Sequence, residues 1–183
     1  MSAPTRGTAR ALLSAMRPRQ WVKNGLITVA PGAAGVLSHD NIIGHVIVAF
    51  VAFCAVSSAM YLLNDLRDLE ADKFHPTKQH RAIASGQLKP RLAVGALVVL
   101  LLIGFSLPFS IQRPDGLLLI LGIYVAISVL YSLWVKDIAI IELVSVASGF
   151  FLRAYAGAVA CHIYVSSWFL VVVSFGAFFL VVG

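Results

Sequence analysis

Four of the eight acidic residues in this 183-residue chain fall between Asp65 and Asp72. The stretch reads Asn64-Asp65-Leu66-Arg67-Asp68-Leu69-Glu70-Ala71-Asp72 and follows directly on the apolar run from Ile42 to Leu63. Anionic side chains at the end of a membrane helix are costly unless something neutralises them, so they mark a site. If the helix continues through the motif, Asp65, Asp68 and Asp72 sit at i, i+3 and i+7, within an arc of roughly 60°. Glu70 points elsewhere. Carboxylates on one face suit a hard cation such as Mg²⁺, which takes one or two of them and completes its shell with water and phosphate oxygens. The predicted chemistry is therefore that of a metal–diphosphate site, with Asp65, Asp68 and Asp72 as metal ligands and Asn64 beside them.

The loop that follows, Lys73-Phe-His-Pro-Thr-Lys-Gln-His-Arg-Ala-Ile-Ala-Ser-Gly86, is cationic. Lys73, Lys78 and Arg81 supply positive charge for phosphate oxygens, and His75 and His80 supply neutral or switchable donors. Pro76 stiffens the turn and Gly86 permits a sharp one. The competing reading is a topological determinant with incidental histidines. Arg17-Pro-Arg-Gln-Trp-Val-Lys-Asn24 also admits two readings. Trp21 and the cations could form an interfacial anchor, or Lys23 and Asn24 could face the site from just inside the membrane. Tyr131 and Lys136 close a fourth apolar run, where the aromatics could equally form an interfacial belt and Lys136 could pair with Asp137. Arg153 shares a helix face with Glu142, three turns away, and either lines the site or needs a structural partner of its own.

The elements that would position these groups are membrane helices. The chain is 60% hydrophobic and 12% charged, with mean hydropathy +0.91, outside the usual range of soluble domains. One all-α polytopic membrane domain over residues 1–183 is expected, with six spans near 22–37, 42–64, 91–108, 116–134, 138–160 and 166–183. Pro31, Gly32 and Gly35 interrupt the first, so a kinked or partly re-entrant helix is expected there. Residues 9–16 form a short amphipathic approach along the membrane surface. Basic residues gather in the N-terminal arm, in the loop after the second span and at Lys136, while the alternate loops hold only Arg113. That asymmetry places the acidic motif on the cytoplasmic side. The +6 net charge flanks apolar spans without an aromatic-interleaved groove, which speaks against nucleic acid. Cys54 and Cys161 have no metal-ligand spacing and read as small core residues. No phosphate-binding P-loop, C-x-x-C or H-E-x-x-H motif is present. The apolar run up to Gly183 has no flanking polar residue, which predicts a fragment of a longer protein.

On these residues the chain resembles the UbiA superfamily of intramembrane prenyltransferases. Asn64–Asp72 is similar to its first acidic motif, and Arg81–Gly86 is similar to the R-P-x-A-S-G stretch that follows, with Ala82 in place of proline. Arg17–Asn24 and His75-Pro-Thr-Lys78 resemble the decaprenyl-phosphate phosphoribosyltransferase branch of actinobacterial cell-wall synthesis. The resemblance implies a fold of nine membrane helices in the complete family architecture, with a second acidic motif beyond the sixth. It also implies transfer of 5-phosphoribose from phosphoribosyl diphosphate to a polyprenyl phosphate in the cell membrane. Lys23, Tyr131, Lys136 and Arg153 are then candidates to position the acceptor phosphate. A homo-oligomer is compatible with the sequence. Prenyl transfer from a polyprenyl diphosphate to an aromatic ring is the rival within the same fold. A cation-coupled transporter predicts midplane acids and paired repeats, neither of which is seen. A scaffold without turnover leaves the carboxylate spacing unexplained.

Overall fold

A computed structural model describes residues 6–39, 41–135 and 139–182. Every regular element among them is helical: α1 (Arg6–Ala15), a 3₁₀ segment (Pro18–Thr28), α2 (Val29–Ala33), α3 (Ile42–Arg67), α4 (Leu69–Phe74), a 3₁₀ turn (Lys78–His80), α5 (Pro90–Ser106), a second 3₁₀ turn (Leu107–Ser110), α6 (Asp115–Leu130), a π turn (Tyr131–Val135), α7 (Ala139–Ala160) and α8 (Ser167–Val182). Four segments of the described chain are long and apolar enough to cross a membrane: Ile42–Arg67, Pro90–Ser110, Asp115–Leu133 and Leu143–Ala160.

The remaining two of the six expected spans are not among these four. The first does not wind as one α-helix. Pro18–Thr28 is 3₁₀, α2 is five residues long and Gly35 turns the chain with φ of 69°. Pro31 and Gly32 account for the short α-helix, because proline removes a backbone donor and glycine weakens helix propagation. The last, α8, runs over Ser167–Val182 and is apolar over Ser167–Phe179.

Helix α3 is the central element. In its most apolar stretch 67% of the residues are buried, against 17% for the segment built on α5, so α3 is the core and α5 an outer wall. Small residues permit this. Ala49, Ala52, Val56 and Ala59 of α3 are buried with Phe53, against Leu117, Leu121 and Tyr124 of α6 and Leu152 and Ala156 of α7. Gly104 of α5 sits against the Ala52 carbonyl and Val56, where a Cβ would collide. Close approach through small residues is how membrane helices gain dispersion contacts in a solvent that offers little hydrophobic drive. Leu92, Val98, Val99 and Leu102 on α5 and Val172, Phe175 and Phe179 on α8 stay exposed, as lipid-facing side chains would.

A second, smaller cluster caps one end of α3. Ala11 and Ala15 of α1 are buried with Leu62 of α3 and with Ala82, Ile83 and Leu88 of the loop before α5. The amphipathic approach expected over residues 9–16 is thus a helix laid on the bundle. It clamps the turn that carries Arg81.

Candidate active site

The acidic motif does not run on one straight helix. Asp68 has φ −86° and ψ 6° and joins α3 to α4. Backbone hydrogen bonds bridge the junction, from Asp68 N to the Asn64 carbonyl (2.9 Å) and from Asp72 N to the Asp68 carbonyl (2.8 Å). The two ends of the motif still meet. Arg81 Nη1 lies 3.1 Å from Asp65 Oδ1 and 2.8 Å from Asp72 Oδ2, so one guanidinium nitrogen bridges both carboxylates. Asp65 and Asp72 are buried, at 3% and 2% exposure, while Asp68 is half-buried.

Arg17 completes this ion-pair group. Its Nη2 donates to Asp65 Oδ1 at 2.6 Å, and its guanidinium lies 4.9 Å from the centre of the Tyr61 ring. The residue itself has φ 54° and ψ 60°, between α1 and the 3₁₀ segment. That turn is fixed to α3: Ser58 Oγ donates to the Met16 carbonyl at 3.1 Å, and Trp21 Nε1 donates to Ser58 Oγ at 3.0 Å. Trp21 therefore pins the turn that carries Arg17 by a specific bond.

Beside the acidic group lies a cavity of about 220 Å³, lined among others by Lys23, Tyr61, Asn64, Tyr124, Tyr131 and Arg153. Tyr61 belongs to both sites, as cavity wall and as the ring beneath Arg17. Arg153 is 5% exposed. It donates from Nε to Asn24 Oδ1 (2.6 Å), from Nη1 to the Gly149 carbonyl (2.7 Å) and from Nη2 to Tyr124 Oη (3.2 Å). All three acceptors are neutral, so the guanidinium charge is oriented without being cancelled by them. A buried cation held this way is ready for an anion, because the desolvation it has already undergone strengthens its pull on a phosphate.

The sequence-derived residues divide accordingly. Lys23, Asn64, Tyr131 and Arg153 line the cavity. Asn24 is 1% exposed, and its side chain is engaged by Arg153 and by Cys54 Sγ (3.1 Å), which gives it the position of a brace for Arg153. Asp65, Asp72 and Arg81 converge. Lys73 is exposed and paired with Glu70 at 2.7 Å. His75 is exposed, and its Nδ1 accepts from the backbone N–H groups of Thr77 and Lys78, so it shapes the loop. Lys78 and His80 are exposed. Lys136, its pairing with Asp137 and the side chain of Glu142 lie outside the described residues. Cys54 and Cys161 are buried thiols, as expected.

Arg17, Tyr61 and Tyr124 emerge only in three dimensions. Arg67 does too: it donates to the Leu133 carbonyl (2.9 Å) and ties the end of α3 to the π turn of Tyr131. Such π turns recur at functional sites, where they re-aim a side chain.

Asp65 and Asp72 fit a Mg²⁺ ion shared with a diphosphate, since both carboxylates reach one point and Mg²⁺ uses only one or two of them. They do not fit a cage made by protein alone. Among the described residues no group of three His, Cys, Asp or Glu side chains is placed to hold a metal.

The family model described as the UbiA prenyltransferase family matches residues 25–183. The chain is 42% identical over 182 residues to the decaprenyl-phosphate phosphoribosyltransferase of Corynebacterium glutamicum, covering 98% of this chain and 55% of that protein. It is 40% identical over 186 residues to the protein of the same name from Mycolicibacterium smegmatis, covering 100% of this chain and 58% of the relative. The same identity holds over 187 residues for that of Mycobacterium tuberculosis, again with 100% of this chain and 61% of the relative. The chain thus spans between 55% and 61% of the length of these relatives.

Proposed function

Since the chain belongs to the UbiA prenyltransferase family, we propose that it carries the metal–diphosphate part of a phosphoribosyl transfer. 5-Phosphoribose passes from phosphoribosyl diphosphate to decaprenyl phosphate, or another polyprenyl phosphate, and diphosphate leaves. The observation that carries this reading is the pairing of a two-carboxylate group, bridged by Arg81, with a cavity walled by Lys23 and Arg153. Relatives named for this reaction align over nearly the whole chain.

In the reaction the bond between the ribose anomeric carbon and the diphosphate oxygen breaks, and an oxygen of the acceptor phosphate bonds to that carbon. Asp65 and Asp72 would hold Mg²⁺, which would stabilise the charge gathering on the departing diphosphate, and Asp68 stands at the helix junction between them. Arg81 and Arg17 offset the phosphate charge that remains. The acceptor phosphate is anionic at neutral pH and needs orientation more than a base. Arg153 and Lys23 supply that orientation, Asn24 holds Arg153 in place, and Tyr131 and Asn64 complete the wall. Lys73, His75 and Lys78 form the rim by which the polar donor enters from the cytoplasm. The lipid tail runs into a neighbouring apolar cavity of about 110 Å³, lined by Leu26, Val29, Ala154 and Ala177, which shares Phe150 with the polar one. In this reading the protein lies in the cell membrane with its acidic motif on the cytoplasmic face.

The test is transfer of radiolabelled phosphoribose to polyprenyl phosphate in membranes carrying the full-length protein. Label should enter the lipid only with Mg²⁺, and Asp65→Asn should reduce the rate about 100-fold or more with protein level unchanged. Full labelling by Asp65→Asn would overturn the metal assignment. Activity only with a polyprenyl diphosphate and an aromatic acceptor would overturn the substrates.

A further inference from the structure

The carboxylates assigned to the metal are already neutralised by arginines. Arg17 donates to Asp65 Oδ1, Arg81 lies 3.1 Å from the same oxygen, and Arg81 donates to Asp72 Oδ2. The carboxylates are buried at 3% side-chain exposure, while the guanidiniums are 33% and 26% exposed. The arginines are therefore the more exposed partners, set against Asp65 Oδ1 and Asp72 Oδ2. These four side chains bring two positive charges against two negative ones.

A bare dication approaching this group meets like charge first. To take Asp65 Oδ1 it must displace two guanidiniums and leave them beside a new double positive charge, which is unfavourable at such short range. A dication that arrives on a diphosphate presents a different exchange. The phosphate oxygens offer each guanidinium a bidentate partner at least as good as a carboxylate, and the carboxylates are released to the metal. Arg17 is built for such a swing. Its backbone is pinned through Met16 to Ser58, while its side chain is held by one ion pair and by the Tyr61 ring.

We propose that Arg17 and Arg81 are internal counterions of Asp65 and Asp72 in the donor-free protein and exchange onto the diphosphate as it arrives, so that the metal binds with the donor and not ahead of it. This rests on the metal–diphosphate reading above and adds an order of binding to it. Arg17 acts as a positioning residue that guards the site until the donor is present.

The experiment is Mn²⁺ binding to the purified full-length protein, followed by electron paramagnetic resonance, with Mn²⁺ alone and with inorganic diphosphate added. The signal of protein-bound Mn²⁺ is counted after subtraction of the soluble Mn²⁺–diphosphate complex. Diphosphate should tighten Mn²⁺ binding to the unmodified protein by about tenfold or more. Arg17→Gln should bind Mn²⁺ alone at least about threefold more tightly than the unmodified protein and gain less from diphosphate. Tyr61→Leu, which keeps the charge but removes the ring that steadies it, should shift in the same direction by less. Unchanged or weaker binding of Mn²⁺ alone to Arg17→Gln overturns the proposal, as does equal affinity of the unmodified protein with and without diphosphate. If Arg17→Gln does not fold, an unchanged Tyr61→Leu overturns it. Asp65→Asn separates the two levels: if it holds Mn²⁺ with diphosphate as well as the unmodified protein does, the metal site itself is misplaced.

Discussion

Arg153 is the residue whose replacement should be most informative. Lysine keeps the charge but cannot reach Asn24, the Gly149 carbonyl and Tyr124 at once from a single ammonium. Arg153→Lys should lower transfer to the lipid about tenfold or more, with the loss concentrated in the acceptor's KM. Asn24→Ala should move the same parameter by less, since it frees Arg153 without deleting it. Cys161 gives a pH prediction. Burial pushes its thiol from 9.0 up to about 11. The folded state thus holds this proton more tightly than the unfolded chain, and the resulting stability is full below pH 9.0 and lost as pH rises towards about 11. Thermal unfolding scans should fall over that window and fall less in Cys161→Ala. At this scale the carboxylates were legible because their spacing is local. Arg17 was not legible as their partner, because the two meet across 48 residues of chain and no periodicity reports such a pairing.

Among the elements, the contact of α7 with the 3₁₀ segment is the one most exposed to a small change. Gly157 lies directly against the Ile27 carbonyl, and a Cβ there would occupy the space of that oxygen. Gly157→Ala should therefore destabilise the protein by about 1–3 kcal/mol, read as a lowered Tm of the purified full-length protein. Gly95→Ala is the control, since nothing lies within 4 Å of the added carbon. The long apolar helices were legible from composition and length. The 3₁₀ winding of Pro18–Thr28 was not, because the same apolar residues satisfy either helix and packing against α7 and α3 selects between them. The break at Asp68 also escaped the pattern. The i, i+3, i+7 spacing assumes a straight axis, whereas the chain rejoins its two acidic ends through Arg81.

For the whole molecule, charge asymmetry predicts sidedness. Lys78, on the basic loop, and Tyr164, 92% exposed between α7 and α8, should label from opposite faces. A membrane-impermeant thiol reagent applied to intact cells should modify Tyr164→Cys and spare Lys78→Cys until the membrane is opened. The reverse pattern would invert the topology. The helical class was plain from hydropathy, and the centrality of α3 follows from its small residues once neighbours are in place. Which helices neighbour one another was not readable, because apolar faces all look alike to a linear pattern.

The length of α3 has one more consequence. Its 26 residues make it about 39 Å long, some 9 Å more than the hydrocarbon core of a bilayer. Counted from Ile42, Asp65 falls within that excess. In the proposed reaction the helix would serve as a ruler that sets the carboxylates at the depth of the lipid phosphates. On that proposal a lipid acceptor would travel only sideways to meet the donor, never up out of its own leaflet. Reconstitution in thicker bilayers should slow transfer by sinking that plane.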